Sequence, residues 1–416
     1  MTTRNFIVIA ATMLMACGST TADTPSAPAT PPSPDTSATS QPGAPITPLT
    51  MDCVAGNTGC TALVPAGDAP YVLPSGGTAN ARGFADPSLR RDPATGTLWM
   101  AYSWPFLSFV SAGSAAVTVS NHLARSDDGG ATWTFVGAMW TAESATGPDG
   151  EAGFLNQETV SLAPRTTAAG TAWYSARLQY FTTPGGGSSG SSFRLRVAAA
   201  ASPALLAGAD DAVLGGAATA AFWHVDVNLS ALSADLAQCM FNDPGLLARG
   251  DTLYLAAECQ VFEPSGERPD KEFVAVFATV PSGAPRTWTW RYLGKLAAAA
   301  EAAELGGQML MQADLVTALD GTVLAVLSPS APGVPLAAHA GCRVVEVASL
   351  SVPRLARDTA GRLRVRASVS MSDVAASGGP GSCGYEPASA TGLVIARREL
   401  GAGQLVSSLR QTGLRP

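Results

Sequence analysis

The stretch that most sharply predicts the fold is residues 125–133, which read Arg125-Ser126-Asp127-Asp128-Gly129-Gly130-Ala131-Thr132-Trp133. Gly129 and Gly130 supply the backbone freedom that a tight turn needs. Asp128 can accept hydrogen bonds from the amides of its own turn. Thr132 and Trp133 favour the start of a new strand, with the indole folded back over the hairpin. The stretch therefore predicts a turn between two β-strands.

The same residues fit the pattern Ser-X-Asp-X-Gly-X-Thr-Trp, which resembles the Asp-box of sialidases and related β-propellers. The residues that carry the resemblance are Ser126, Asp128, Gly130, Thr132 and Trp133. The resemblance implies an all-β fold in which these residues have a structural role.

Repeats of one pattern follow along the chain, each with an acid, an apolar strand, a small-residue turn and a second apolar strand. The acids are Asp86, Glu158, Asp243 and Asp314, with Glu386 in a weaker fifth repeat, at spacings of 72, 85, 71 and 72 residues. Third strands are expected at 117–124, 193–200, 272–279 and 343–348. Fourth strands are expected at 132–137, 221–227, 287–293 and 363–369.

Four antiparallel strands per repeat are typical of a propeller blade. We therefore predict a β-propeller with five blades, six being left open. The last repeat is short of strands, so residues 61–80, with Tyr71-Val72-Leu73, are expected to complete it. In this arrangement the stretch at 126–133 joins strands three and four on the bottom rim, opposite the acids.

The N-terminus predicts export. A short basic start and an apolar run from Phe6 to Ala16 are typical of a signal peptide. Residues 14–18, Leu-Met-Ala-Cys-Gly, resemble the lipobox of bacterial lipoproteins, which implies cleavage after residue 16 and acylation of Cys17. An ordinary signal peptide is the alternative. Residues 17–50 are rich in Pro, Thr, Ser and Ala, which predicts a disordered tether, and the propeller is expected over 51–416.

The remaining six cysteines form an even set, which in an exported chain predicts disulfides. Six cysteines allow fifteen pairings. Cys53 and Cys60 bracket a small loop and are expected to pair. The strand order places Cys239 with Cys259, and Cys342 with Cys383, on the top face, so these are expected to be the other two pairs.

Composition excludes several partners. The formal net charge is −7 and basic runs are absent from the sequence, which argues against nucleic acid or an anionic membrane surface. No ligand spacing of a zinc site is present. We expect no cofactor, with a structural calcium ion left open, and a monomer that binds a glycan or oligosaccharide and meets the membrane of the bacterial cell envelope only through its lipid.

The five acids are expected to meet at the mouth of one axial pocket, because each lies near the start of a first strand. Carboxylates held close together cannot all ionise, so some of their pKa values should rise. That condition lets one carboxyl donate a proton while another acts as base or nucleophile, as in glycoside hydrolysis. The acids could instead bind backbone amides or calcium and hold the ring together.

Residues 85–88, Ala-Asp-Pro-Ser, and 91–93, Arg-Asp-Pro, also look like five-bladed glycosidases, which share an Asp-Pro at the head of blade one. This resemblance implies three catalytic acids from blades one, two and three: Asp86, Glu158 and Asp243. A sialidase-like exo-glycosidase would need arginines for the sugar carboxylate and a Tyr–Glu pair. The candidates for those roles, and for further pocket contacts, are Arg82, Arg177, Arg343, Tyr385, Glu386, Asp314 and His339.

Two functions therefore stay open at this stage: a glycosidase using two of Asp86, Glu158 and Asp243, and a non-catalytic propeller that binds glycan or protein. Glu258-Cys259 resembles an acid motif of fructan hydrolases, but it is expected at the end of a strand rather than its start. We do not count it among the site residues.

Overall fold

The computed structural model describes residues 43–416 except 112–113, 148–149, 185–192, 215–230, 264–265, 333–337, 375–379 and 402–403. Over these residues the chain forms five antiparallel sheets arranged in a ring, a five-bladed β-propeller. The predicted fold class is therefore confirmed. No helix in the described ranges is long and apolar enough to cross a membrane.

The strands are numbered in chain order, and each blade is given from its innermost strand outward. Three short strands precede blade 1: β1 (Leu49–Asp52), β2 (Thr61–Leu63) and β3 (Ala81–Gly83). Blade 1 contains β4 (Ala85–Arg91), β5 (Leu98–Ser111), β6 (Ser114–Ser126) and β7 (Thr134–Trp140). Blade 2 contains β9 (Ala152–Thr167), β10 (Gly170–Thr182), β11 (Arg194–Ala200) and β12 (Asp211–Val213), with β8 (Glu143–Thr146) beside β9.

The other blades repeat this order. Blade 3 contains β13 (Met240–Arg249), β14 (Thr252–Gln260), β17 (Phe273–Thr279) and β18 (Arg291–Ala298), with a small hairpin of β15 (Phe262–Glu263) and β16 (Gly266–Glu267). Blade 4 contains β19 (Met309–Thr317), β20 (Val323–Ala331), β22 (Cys342–Ser349) and β24 (Val365–Ser370), with β21 (Ala338–His339) and β23 (Arg354–Leu355) at its sides. Blade 5 contains β25 (Pro380–Gly384), β26 (Val394–Gly401) and β27 (Gln404–Gln411), and helix α1 (Ala299–Glu304) joins blades 3 and 4.

The ring is held by contacts between neighbouring innermost strands, β4, β9, β13, β19 and β25, and β25 returns to β4. Gly384 permits this closure, because a Cβ atom there would lie 2.2 Å from the carbonyl oxygen of Pro87. Buried apolar side chains fill the space between each pair of neighbouring blades. Burial of these surfaces, at about 25 cal/mol per Å² of apolar area, is the main stabilising contribution to the ring.

Residues before blade 1 complete the last blade, as predicted for 61–80, but through its first residues rather than through Tyr71-Val72-Leu73. The outer partner of β27 is the antiparallel strand β2, joined by the parallel strand β3. The stretch at 71–73 forms only an isolated bridge between Val72 and Thr78, and the Tyr71 ring packs on Trp104 instead. The predicted strand at 71–73 is therefore wrong.

Two other boundaries differ from prediction. Gly43 bridges Asp358, and β1 pairs with β24, so residues 43–50 lie on the propeller rather than in the tether. The fourth strand of blade 2 is β12, whereas the segment predicted for it, 221–227, lies outside the described residues. The signal peptide and Cys17 also lie outside them.

The turn at 126–133 joins β6 to β7, the outer strands of blade 1. Asp128 accepts hydrogen bonds from the Ser126 hydroxyl at 2.7 Å, the Thr132 amide at 2.9 Å and the Thr132 hydroxyl at 2.6 Å. Gly130 has φ 97°, and its amide donates to Ser126. The Trp133 side chain is buried between blades 5 and 1. The turn lies beside the β4–β5 turn, at the end of the blade remote from Asp86.

The three predicted disulfides are confirmed: Cys53–Cys60, Cys239–Cys259 and Cys342–Cys383. The last one joins β22 of blade 4 to β25 of blade 5. It therefore fixes the first strand of blade 5 at the axis.

Candidate functional site

The innermost strands of all five blades share one irregularity, a shift in the register of their pairing with the second strand. In β4 the pairing with the second strand shifts between Ala85 and Ser88. In β9 it shifts next to Glu158, and in β13 it shifts between Asn242 and Gly245. Three non-glycine residues in these bulges have a left-handed backbone, namely Asp86 (φ 48°), Thr159 (φ 46°) and Asp243 (φ 42°). Such conformations cost about 1–3 kcal/mol each and are retained where the surrounding structure imposes them.

This equivalence corrects the repeat alignment. Asp86 of blade 1 and Asp243 of blade 3 occupy the same position in their bulges. In blade 2 that position is occupied by Thr159, and Glu158 precedes it by one residue. A β-bulge sets two residues of one strand against one residue of its partner, and its position depends on how the two strands pair, which the spacing of residues along the chain does not report.

A small pocket with a cavity volume of about 10 Å³ lies on the axis, where four innermost strands converge. Its lining includes Asp86, Asp243 and Asp314, together with Ser161 and Gln312. Asp86 and Asp243 come from blades 1 and 3, which are not neighbours in the ring. They therefore approach the pocket from different sides.

Asp86, Glu158 and Asp243 act on one another electrostatically. Burial, and then the charge of Asp86, raises the pKa of Glu158 to about 7, against the opposing effect of the Tyr180 hydroxyl and Arg398. Burial, and then the charges of Asp86 and Glu158, raises the pKa of Asp243 well above its usual range. Asp86, Glu158 and Asp243 are thus close enough to interact electrostatically, and the pKa values of Glu158 and Asp243 are both raised.

Several neighbours of these acids escaped the sequence reading. The Ser382 hydroxyl donates a hydrogen bond to Asp86. Arg398, on β26, interacts with Asp86, Glu158 and Asp243, and burial lowers its pKa against their attraction. Gln312 exchanges hydrogen bonds with the backbone of Cys383. A contact such as Ser382 to Asp86 joins blades 5 and 1 across the ring closure, so no local pattern could have revealed it.

Asp314 lines the pocket, but its oxygens are already bound. Arg90 donates to them at 2.6 and 3.0 Å, Ser161 donates at 3.1 Å and the Leu315 amide at 3.0 Å. We expected Asp314 to contact substrate; the structure places it in a buried ion pair that joins the blades.

Glu386 and Tyr385 lie away from the pocket, because strand β25 ends at Gly384, before either of them. Glu386 accepts from the amide of Arg91, at the far end of β4 from Asp86. The Tyr385 ring is buried between blades 4 and 5, and its hydroxyl donates to the Pro416 carbonyl at 3.1 Å. The expectation that these two residues reach the pocket is wrong.

The three candidate arginines also have other partners and do not line the pocket. Arg82 donates to the Ala79 carbonyl. Arg177 pairs with Asp211, bonds Gln157 at 2.9 Å and lies 4.0 Å from the centre of the Trp140 ring. Arg343 donates to the carbonyls of Cys342, Val369 and Ala340. The expected arginine cluster for a sugar carboxylate is therefore not formed by these residues.

His339 lies on the short strand β21, and its Nδ1 is 2.8 Å from the Ser330 hydroxyl. Burial, and then the charge of Arg398, lowers its pKa well below the usual value, so the ring is neutral. Among the described residues, no group of three or more His, Cys, Asp or Glu side chains is arranged to hold a metal ion.

No protein-family model matches this chain, and no curated protein matches it. Solved structures similar to it include a native arabinanase from Bacillus subtilis (TM-score 0.40, 12% identity, 79% of this chain and 93% of that one). An α-L-arabinofuranosidase from Lactobacillus brevis has a TM-score of 0.39 at 12% identity, over 68% and 75% of the two chains. A Trypanosoma rangeli sialidase mutant has a TM-score of 0.42 at 10% identity, over 89% and 60%. At such values, function has to be inferred from the pocket itself.

Proposed function

We propose that this protein is a glycoside hydrolase that cleaves a glycosidic bond held between Asp86 and Asp243. One observation carries the proposal: Asp86 and Asp243 line a single axial pocket and interact with the neighbouring Glu158, and burial and mutual repulsion raise the pKa values of Glu158 and Asp243. A proton donor and an ionised carboxylate on two sides of a bond are what glycoside hydrolysis requires.

The roles follow from position and charge. Asp243, whose pKa is raised well above its usual range, is the acid that donates its proton to the leaving oxygen. Asp86, which accepts from Ser382, is the carboxylate that attacks the sugar or activates water. Glu158 lies on the blade between theirs, and its ionisation near pH 7 adds a negative charge beside both.

A neutral sugar is the proposed substrate. The three arginines that a sialidase would need are engaged elsewhere, and Arg398 alone already faces three carboxyls. A pocket with this excess of acidic groups repels an anionic sugar. We therefore replace the sialidase-like exo-glycosidase with a glycosidase for uncharged sugars.

The test is a panel of aryl glycosides of arabinose, xylose, galactose and sialic acid. At least one neutral glycoside should be hydrolysed, and Asp86→Asn should slow it by about 10²–10⁴-fold, the usual contribution of acid–base groups. Asp127→Asn, an exposed change on the opposite face, is the matched control. If no glycoside is cleaved but a glycan array is bound, the non-catalytic binding propeller replaces this proposal.

We propose further that the protein is exported and anchored in the cell envelope through a lipid on Cys17. The sequence of residues 1–18 supports this, and three disulfides fit an oxidising compartment. A Cys17→Ser form should leave the membrane fraction after expression in a bacterial host. Unchanged partitioning would contradict the anchor.

A further inference from the structure

The junction between blades 1 and 2 contains buried polar side chains beside its apolar core. In that core Leu123 of β6 packs together with Trp173 of β10. Asn121 lies two residues before Leu123 on β6, so its side chain faces the same junction. Ser175 and Arg177 follow Trp173 on β10 with the same alternation and face the junction from the other side. Across it, β6 and β10 have Cα atoms within 8 Å of one another.

A contact between Arg177 and Trp140 brings the polar side chains of the two blades together. Asn121 and Trp140 are paired on β6 and β7, which places their side chains next to each other on one face of blade 1. The guanidinium carbon of Arg177 lies 4.0 Å from the centre of the Trp140 ring. The amide of Asn121 and the guanidinium of Arg177 therefore lie at the same indole ring, one from each blade.

These side chains have buried polar atoms without partners. Asn121 and Ser175 are 0% exposed, and Arg177 is 3% exposed. Within the described part of the chain, Nδ2 and Oδ1 of Asn121, Oγ of Ser175 and Nη1 of Arg177 make no hydrogen bond. Buried polar atoms are nearly always bonded to protein, water or an ion. Three unpaired donors in one junction therefore indicate a bound acceptor.

The charges of this region favour an anion as that acceptor. Arg177 and Arg196 both pair with Asp211, so two guanidinium groups share one carboxylate. Burial lowers the pKa of Arg177 to about 10, so the group stays charged at neutral pH. A buried charge that is incompletely paired is costly. One monovalent anion beside Arg177 would give two negative charges to the two positive ones.

We propose that a halide ion, chloride under ordinary conditions, binds between blades 1 and 2 and accepts hydrogen bonds from Asn121 Nδ2, Ser175 Oγ and Arg177 Nη1. A monatomic anion suits donors from two blades because it accepts from any direction, and the burial of all three donors favours an ion close to water in size. The lining of the axial pocket contains none of these residues. The site is therefore independent of the proposed glycosidase activity.

Thermal denaturation of the intact protein at constant ionic strength tests the site, with chloride exchanged for gluconate, an anion too large for a buried junction. A ligand that binds only the folded protein raises its melting temperature. We expect a rise of about 2 °C for each tenfold increase in chloride above its Kd. A melting temperature that does not depend on chloride overturns the inference and assigns the unpaired donors to water.

Asn121→Asp places a carboxylate beside Arg177 in place of the anion. The new charge should pair with the guanidinium and repel chloride, so the dependence on chloride should disappear, while the melting temperature in gluconate should not fall below that of the wild type. Asn80→Asp adds the same charge at an exposed position and is the matched control, which should keep the dependence. A dependence that persists in Asn121→Asp would place the ion elsewhere and contradict the site.

Two further measurements do not require the folding of Asn121→Asp. Ser175→Ala removes one donor and no charge, so it should raise the Kd for chloride by about tenfold or more, the contribution of a hydrogen bond to a charged group. Crystals of the wild type grown in sodium bromide should show an anomalous peak within hydrogen-bond reach of Arg177 Nη1 and Asn121 Nδ2. An unchanged Kd in Ser175→Ala removes that residue from the site, and the absence of the peak overturns the inference.

Discussion

Arg90 and Asp314 form a bidentate ion pair at the centre of the propeller, with nitrogen–oxygen distances of 2.6 and 3.0 Å. Both side chains are 4% exposed. Arg90 comes from blade 1 and Asp314 from blade 4, and Arg90 also donates to the carbonyl of Leu246 in blade 3. The hydroxyl of Ser161, in blade 2, also donates a hydrogen bond to Asp314. One buried pair therefore connects four blades at the axis.

Breaking this pair should destabilise the whole ring. Asp314→Leu leaves a buried guanidinium unpaired, which costs about 3–5 kcal/mol. Arg90→Met/Asp314→Leu should recover part of that loss, because neither charge remains; the hydrogen bonds from Ser161 and Leu315 to Asp314, and those from Arg90 to backbone carbonyls, are still lost. Urea denaturation of both single variants and the double variant measures the coupling. A single variant as stable as the wild type would contradict the role given to the pair.

The raised pKa of Glu158 predicts a pH-dependent stability. The folded protein keeps this proton up to about pH 7, whereas the unfolded chain loses it near the ordinary value of 4.5. The wild type therefore loses stability as the pH rises between these values, and Glu158→Gln does not. The free energy of unfolding of Glu158→Gln, relative to that of the wild type, should increase by up to about 3 kcal/mol from about pH 5 to about pH 8. Denaturation at both pH values tests this, and parallel curves would refute it.

The Cys342–Cys383 disulfide should support both stability and activity. It closes a separation of 41 residues and fixes β25, whose Ser382 donates to Asp86. Replacing both cysteines by serine should cost about 2–4 kcal/mol and lower kcat on the cleaved glycoside. The Cys53–Cys60 pair, with a separation of 7, is the control. Its removal should cost less stability and leave kcat unchanged. If removing either disulfide lowers kcat equally, the Cys342–Cys383 disulfide has no special role in holding Ser382 at Asp86.

The turn at 126–133 should affect stability without affecting catalysis. Hydrogen bonds from Thr132 and Ser126 hold the pKa of Asp128 below its usual value. A carboxyl whose pKa is lowered by folding stabilises the folded state at pH values above its pKa in the unfolded chain. This stabilisation is lost as the pH falls through its pKa in the folded protein. Asp128→Ala should therefore lower the melting temperature at neutral pH, with a smaller difference in acid. Asp127→Ala is the neighbouring control, and a change in kcat for either variant would be unexpected.

Much of the fold was predictable because it depends on local pattern. The spacing of strand pairs gave five blades, and third strands such as 272–279 fell within a few residues of those observed. The disulfide pairs followed from the alternation of faces along antiparallel strands. Tyr71-Val72-Leu73 failed because an apolar triplet can pack its rings on a neighbouring hairpin as readily as it can join a sheet.

The site was predictable only in part. Asp86, Glu158 and Asp243 meet because their strands begin at the same face. Asp314 and Glu386 follow the same spacing along the sequence but do not join the other three acids. A bulge or the end of a strand changes where a side chain lies, and the spacing along the sequence does not show this. The positions of Arg177 and Arg343 could not be predicted either, because the partners that bind a long side chain are often distant in the sequence.

By itself, the amino-acid sequence determined the periodic elements of this protein: the strands, their turns, the number of blades and the cysteine pairs. These depend on residues near one another along the chain and on the alternation of faces. Only the tertiary structure decided which charged groups meet at the axis and that Arg90 neutralises Asp314. Those outcomes depend on desolvation and on distances between separate blades, which no local pattern contains.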